Sequence, residues 1–472
     1  MVKQIKKKTA TKHHKIMKHF CFFIVLLCSS TFANSQTYSF PDETEIHEGT
    51  WLQWPHQYEY GISFRNALDA TWVAMTSELQ NNEKVHIIAY NTTEQNRIVN
   101  LLNNSNVPLT NVDFKIFQTN DVWVRDNGPI YVRNSNNELQ IQDWGFNGWG
   151  GDYNFSKCNV IPTSIATATT TTAINLNNIM TVEGGSWEMD GNGVFLATKS
   201  AILSQSNQTS QIHAVRNLGM TETQANAIFT QYLGANKFIW LNGFFSADDI
   251  TDAHIDGFAK FAPTNKLVTM SQADLLYWGL SQADINTLFA ASNTNNVVYT
   301  KIYLPLTQND VAKTNGTSLG FKGSYVNYYV ANNRVLVPNY NDQNDAIANA
   351  IIQNLYPSRT VVGIDVRNLY ANGGMVHCVT QQQPAAIPLK VDPFDPNKSK
   401  TFLIPNPAKT HLQIQSVDDI NRVEIFDEMG RKINLEVSKN QLINIETLSK
   451  GIYFAKIYLD KSKNTIQKFI KE

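Results

Sequence analysis

The 472-residue sequence carries 39 basic and 40 acidic side chains, a formal net charge of −1. That balance supplies no basic face for nucleic acid, and no stretch approaches the roughly 20 consecutive apolar residues of a membrane helix. Only 4 cysteines are present, too few for a disulfide scaffold.

Residues 1–35 read as an export leader. A lysine-rich start precedes a short apolar core from Phe20 to Cys28, and Ala33 and Ser35 satisfy the small-residue rule for cleavage ahead of Gln36. Removing the leader takes away 7 lysines, no acid and two cysteines, so the mature chain has a charge of −8 and retains Cys158 and Cys378. An acidic balance suits a cationic ligand and does not suit nucleic acid. The two cysteines could form one bridge or leave a reactive thiol.

From 36 to 385, β-rich runs alternate with amphipathic helical windows, which predicts a large α/β domain. Four units are visible. The first is a strand at Lys84–Tyr90, a helix capped by Thr92 and Gln95, and a strand at Val112–Phe117. The second has strands at Val194–Thr198 and Lys237–Leu241 around a helix opened by Thr221 and Gln224. The third pairs Leu267–Ser271 with Val297–Leu304 around a helix starting near Ser281, and the fourth joins Tyr325–Val337 to a helix at Asp345–Leu355 and a strand at Thr360–Val366. Such units suit a doubly wound sheet or a ring of small α/β modules, and periodicity does not choose between them.

Proline-rich residues 386–400 read as a linker. Beyond them, residues 401–472 show short strand-like runs divided by turn signals such as Met429-Gly430, which predicts a small all-β sandwich without catalytic residues. Its Ile404-Pro405-Asn406-Pro407, Val423-Glu424-Ile425-Phe426-Asp427 and Leu448-Ser449-Lys450-Gly451-Ile452-Tyr453-Phe454 resemble the C-terminal sorting domain of type IX secretion. The resemblance implies secretion machinery as a partner and a secreted or cell-surface protein. A carbohydrate-binding or adhesive sandwich is the alternative.

Five segments combine a charged or nucleophilic residue with glycine or an aromatic. In the run 120–129, Asp126 can clamp a cation against an aromatic wall from Trp123. The loop 146–153 is glycine-rich, contains Trp149, and suits a lid or pocket wall. In 182–191, Glu183 ends an apolar strand before two glycines, while Asp190 belongs to a hairpin turn and is given no chemistry. In 252–258, His254 and Asp256 project together if the segment is a strand, and no further ligand at a matching spacing suggests a metal site. In 372–380, Cys378 follows a glycine turn, and His377 would face the opposite side of a strand. Alone, each segment has an ordinary structural reading: a surface turn, a satisfied histidine, an inert buried cysteine.

Together they are specific. A cysteine, a histidine and three carboxylates suit nucleophilic attack on a guanidinium, which stays protonated at any accessible pH and is gripped bidentately by acids. The runs Trp-Val-Arg-Asp-Asn-Gly-Pro (123–129), Phe-Asn-Gly-Trp-Gly-Gly (146–151), Glu-Gly-Gly (183–185), His-Ile-Asp-Gly (254–257) and Asn-Gly-Gly-Met-Val-His-Cys (372–378) resemble the agmatine deiminase and bacterial peptidylarginine deiminase family. The resemblance implies a five-bladed α/β propeller of the pentein type, with no cofactor and no metal. It implies Cys378 as nucleophile, His254 as general acid/base, Asp126 and Asp256 as the grip on the guanidinium, and Glu183 as a substrate contact that also orients His254.

Two substrates fit. The loop 143–154 has no Arg or Lys to meet an α-carboxylate and resembles the agmatine branch, which favours agmatine. Export with a sorting tail resembles the peptidylarginine branch. A surface protein that binds guanidino groups without turnover is a third reading.

Overall fold

The computed structural model describes residues 38–203, 216–246, 249–386, 401–416, 419–428, 430–435, 437–438, 441–459 and 464–472. The expected leader and residues 387–400 of the expected linker lie outside them. The chain divides into two compact units, Met1–Ala386 and Ile387–Glu472.

Among the described residues, the first unit holds five small sheets, and four share one construction. An antiparallel hairpin is followed by a helical crossover and a third strand parallel to the hairpin's second strand. These sheets are Ile130–Arg133, Leu139–Gly145 and Ala173–Thr181; Trp187–Met189, Val194–Thr198 and Lys237–Leu241; Ala259–Ala262, Lys266–Thr269 and Thr300–Tyr303; and Tyr329–Ala331, Arg334–Asn339 and Thr360–Asp365. The remaining sheet is built from both ends of the unit. Gln381–Pro384 runs antiparallel to His47–Gln53, which is followed in the sheet by the parallel strands Lys84–Ala89 and Val112–Ile116. In its register, Trp51 faces Gln381 on one side and His86 on the other.

The crossover helices show how local chemistry sets the elements. Thr221 and Gln224 form a reciprocal capping box at the start of Glu222–Leu233, and Gly234 ends it at φ 74°, a conformation that favours glycine. The helix buries Ala225, Phe229 and Leu233 on one stripe, and Phe229 stacks on Phe195 with ring centroids 4.3 Å apart. Ser271 and Ser281 accept from the backbone of Asp274 and Asp284 to open Gln272–Trp278 and Gln282–Phe289.

Several expectations are corrected. Among the described residues, one sheet, from Ile130 to Thr181, lies outside the four units that the pattern shows, because the helix Ile161–Thr169 is rich in threonine and the strand Ala173–Thr181 in asparagine, and both hide the periodic signal. The helix Gln57–Leu79 was not anticipated; Gly61 at φ 83° kinks it and blurs its pattern. The cap of Thr92–Asn104 is Asn91, whose side chain accepts from Glu94 N, rather than Thr92. Segment 254–257 is not a strand: Ile255–Gly257 is a 3₁₀ turn capped by His254. His377–Val379 is a second 3₁₀ turn, so the strand geometry expected around Cys378 is also absent.

In the second unit, Thr401–Ile404, His411–Ser416 and Leu442–Asn444 form one sheet. Lys432–Ile433, Ile420–Asp427, Gly451–Leu459 and Asn464–Lys471 form another. Leu412 and Ile443 from the first and Ile425, Ile457 and Phe469 from the second share one apolar core. Among the described residues, no helix of the chain is long and apolar enough to cross a membrane.

Candidate active site

The repeated construction of the sheets explains how distant segments meet. Asp126, Glu183, His254 with Asp256, and Asn327 each stand in the few residues that lead into the first hairpin strand of a sheet, and Cys378 stands just ahead of Gln381–Pro384, the edge strand that holds the corresponding place in the remaining sheet. Corresponding positions of five similar modules thus supply the polar groups. Asn327 is the member that sequence reasoning missed, because Val326-Asn327-Tyr328 resembles an ordinary strand entry.

Asp126 sits in the buried turn Val124–Asn127. Its Oδ2 accepts from Trp149 Nε1 at 3.0 Å and its Oδ1 from Gly185 N at 3.1 Å. Trp149 is buried, with its backbone at φ 56° between Asn147 and Gly150, and its indole N–H is directed at the Asp126 carboxylate. Trp123 is also buried, and Gly374 is required beneath it: a Cβ there would stand 2.3 Å from the indole ring.

His254 lies between acids. Its Nε2 is 3.3 Å from Glu183 Oε2, and its Nδ1 is 3.6 Å from Asp126 Oδ1. Glu183 is fully buried and also accepts from Arg216 Nε at 3.1 Å, while Arg216 pairs with Asp252. Both Glu183 oxygens are therefore engaged with protein groups, which fits the orienting half of its expected role better than direct substrate contact. Burial opposes the Glu183 charge, but Arg216 and His254 outweigh it and hold its pKa below the ordinary carboxylate value. Burial also opposes the charge on His254, yet Asp126, Glu183 and Asp256 lift its pKa to about 9. For Asp126, burial dominates and pushes the carboxyl up to about 6.

Cys378 is half-buried. Its sulfur is 3.7 Å from Asp256 Oδ2 and receives Asn327 Nδ2 at 3.3 Å. Asn327 also donates to Asp256 O at 3.1 Å and accepts from His377 N at 2.9 Å, tying the two 3₁₀ turns together. Burial, Asp256 and Asp126 raise the thiol pKa well above its usual range. His377 does not face the sulfur; its Nδ1 is 2.9 Å from Asp256 Oδ2. Burial works against the Asp256 charge, and the His377 bond overcomes it, so this carboxylate titrates below its usual value.

One point gathers these groups. A methyl group on Gly185 would stand 2.8 Å from Asp126 Oδ1, 2.9 Å from Asp256 Oδ2 and 2.9 Å from His254 Nδ1. Only glycine, with no Cβ, lets the backbone pass this close to all three. Two carboxylates and an imidazole thus close on one point of the chain, with a thiol against one of the carboxylates, which is an environment for a small cation and a nucleophile. Cys158 is also free, but it is fully buried elsewhere, beneath Asn120 N at 3.2 Å. Among the described residues, no cluster of three His, Cys, Asp or Glu side chains is arranged to hold a metal ion.

An α/β fold of repeated modules with a cysteine, a histidine and paired acids defines a class of guanidino-modifying hydrolases. The model of the Porphyromonas-type peptidyl-arginine deiminase family matches residues 39–384, and that of the secretion system C-terminal sorting domain matches residues 403–472. The chain belongs to this deiminase family; it is a hydrolase of guanidino C–N bonds, and its sorting domain marks it as secreted or cell-surface. The agmatine deiminase of Pseudomonas aeruginosa is 26% identical over 374 residues, covering 73% of this chain and 95% of that protein. A Porphyromonas gingivalis crystal structure, provisionally described as an arginine deiminase, is 27% identical with a TM-score of 0.63, covering 74% of this chain and 99% of that one. An Enterococcus faecalis agmatine deiminase structure, 23% identical with a TM-score of 0.62, shares the fold over 74% of this chain and 97% of its own.

Proposed function

We propose that the protein hydrolyses agmatine to N-carbamoylputrescine and ammonia through a covalent S-alkylthiouronium on Cys378. The convergence of Asp126, Asp256 and His254 around Gly185, with the Cys378 sulfur against Asp256, carries this reading. In it, the five sheets are the blades of a propeller with the site at its centre, and the two sheets of the tail are a sandwich.

The guanidinium lies between Asp126 and Asp256, which hold it planar and fixed. In the free protein the thiol keeps its proton, because burial and then Asp256 and Asp126 oppose the thiolate. A bound cation offsets those charges, and the thiol gives its proton to solvent to become the thiolate. Sulfur attacks the guanidinium carbon, and the imidazolium of His254, charged below about 9, gives its proton to the departing amino group. Ammonia leaves, and the now neutral His254 takes a proton from water, which attacks the thiouronium carbon. Collapse expels the Cys378 sulfur, which takes up the remaining hydroxyl proton to restore the thiol, and leaves the ureido product. Glu183, backed by Arg216, orients His254 and favours its charge.

Substrate choice follows from charge. An α-carboxylate needs a cation, yet Arg216, Lys260 and Arg125 are directed to Glu183 and Asp252, to Glu43 and Glu188, and to His377 O and Gln382. Residues 143–154 add no cation. Together these support agmatine, as does the name of the Pseudomonas relative. Peptidylarginine is the second reading, favoured by the family model and the sorting tail.

The test is incubation of the purified protein with agmatine, free arginine and an arginine-ended peptide, measuring ammonia and ureido product. Agmatine turnover well above the other two is expected. Preference for the peptide overturns the substrate, and release of ammonia from none of them overturns the chemistry. Cys378→Ala abolishes turnover; an intact rate would refute the covalent mechanism.

A further inference from the structure

A buried polar cluster lies behind Asp256 and takes no part in the steps above. Its organiser is Glu43, on the arm that precedes the strand His47–Gln53. Glu43 Oε2 accepts from Lys260 Nζ at 3.1 Å, lies 2.9 Å from His377 Nε2, and is 3.5 Å from Arg125 Nη2. Glu43 Oε1 accepts from Val330 N at 2.8 Å, and Lys260 also reaches Glu188 Oε1 at 3.0 Å. Burial opposes the Glu43 charge, but Lys260, His377 and Arg125 hold its pKa well below the ordinary value.

The arm is fastened independently of this cluster. Ser39 pairs with Arg133 across their backbones, the Phe40 ring meets Trp187 edge-on at 4.9 Å, and Arg359 donates to Thr44 O at 2.6 Å. Two sheets and the turn that leads into the strand Thr360–Asp365 of a third therefore hold the segment that delivers Glu43. His377 stands between this carboxylate and Asp256, whose Oδ2 is the oxygen beside the Cys378 sulfur. Because an ionised Asp256 can only accept, Nδ1 of His377 must carry the hydrogen, whichever partner its Nε2 takes.

We propose that His377 and Glu43 are positioning residues for Asp256: the imidazole Nδ1–H aims the carboxylate at the substrate cation, and Glu43, brought in by the N-terminal arm, fixes the imidazole. This rests on the reaction proposed above. A carboxylate freed of its donor turns about its own bond, and a misplacement of about 1 Å in a gripping group costs on the order of 100-fold in rate.

Two amides separate the two contacts. His377→Asn places an N–H near the position of Nδ1, keeps the bond to Asp256 and loses the reach to Glu43. His377→Gln extends toward Glu43 and Lys260 and withdraws from Asp256. With agmatine and the full protein, kcat/KM is expected to fall about 100-fold in His377→Gln, with both a higher KM and a lower kcat, and about 10-fold or less in His377→Asn. Glu43→Gln is expected to fall about 10-fold with its melting curve still cooperative, and it decides the matter alone if His377→Gln does not fold. Equal losses in the Asn and Gln variants, or wild-type kinetics in His377→Gln or Glu43→Gln, overturn the proposal. A wild-type protein inactive on agmatine, arginine and peptide instead overturns the reaction itself, so the two failures are distinguishable.

Discussion

Asp126 and Asp256 both close on Gly185, both are buried, and they titrate in opposite directions. Asp126 receives neutral donors, the Trp149 indole and the Gly185 amide, and burial wins. Asp256 receives His377, which is backed by Glu43 and Lys260, and its charge is preserved. The difference teaches that burial alone does not decide a carboxylate's state; the character of its nearest donor does. It also divides the labour, since one acid stays charged while the other ionises fully only when a cation or a rise in pH permits.

The largest effect should come from deleting either charge. Asp126→Asn and Asp256→Asn are each expected to cost about 1,000-fold in kcat/KM, as for loss of one preorganised electrostatic contact. A mild loss at Asp126 alone would show that the two acids do not share the cation. Gly185→Ala comes next, because its methyl group would collide with Asp126, Asp256 and His254 and displace them; a fall of about 100-fold in kcat/KM with a still cooperative thermal melt is expected.

A smaller effect is expected from Trp149→Phe. Loss of one hydrogen bond to a charged acceptor costs about 10-fold. In the wild type, kcat/KM should rise through about pH 6 as Asp126 ionises and fall through about pH 9 as His254 loses its proton. Trp149→Phe removes a donor to the Asp126 carboxylate, so its rising limb should move to higher pH while the falling limb stays in place. The smallest effect is on stability. The folded pKa of His254 is raised from 6.5 to about 9, so its contribution is fully present below 6.5 and is lost as pH rises toward 9. The melting temperature should fall across that window, and His254→Asn should flatten the fall.

Much of this was readable beforehand, and particular residues show why the rest was not. The capping box at Thr221 and Gln224 and the fold-defining runs Val194–Thr198 and Lys237–Leu241 are local signals, and they stand where the pattern put them. The module between Ile130 and Thr181 was invisible because asparagine and threonine in its helix and last strand weaken both periodicities. His254 and Asp256 were grouped for a strand reason, yet they meet Asp126 and Glu183 through a 3₁₀ turn. The same strand logic turns His377 away from the site, and Arg216, Asn327, Glu43 and Lys260 have no local pattern at all. Their signal is three-dimensional: each satisfies a buried group contributed from a distant stretch of chain. A buried acid such as Glu183 does imply some cationic partner, so the need for Arg216 could have been inferred, but not its identity.

The pairing of Gln381–Pro384 with His47–Gln53 has a consequence for biogenesis. Cys378, the nucleophile of the proposed reaction, lies three residues ahead of the strand that finishes this sheet. A growing polypeptide that has not yet reached them lacks both that sulfur and the edge partner of its opening strand. In the proposed reaction, chemical competence and completion of the sheet therefore arrive together, and a chain cut short before Cys378 is expected to be inert.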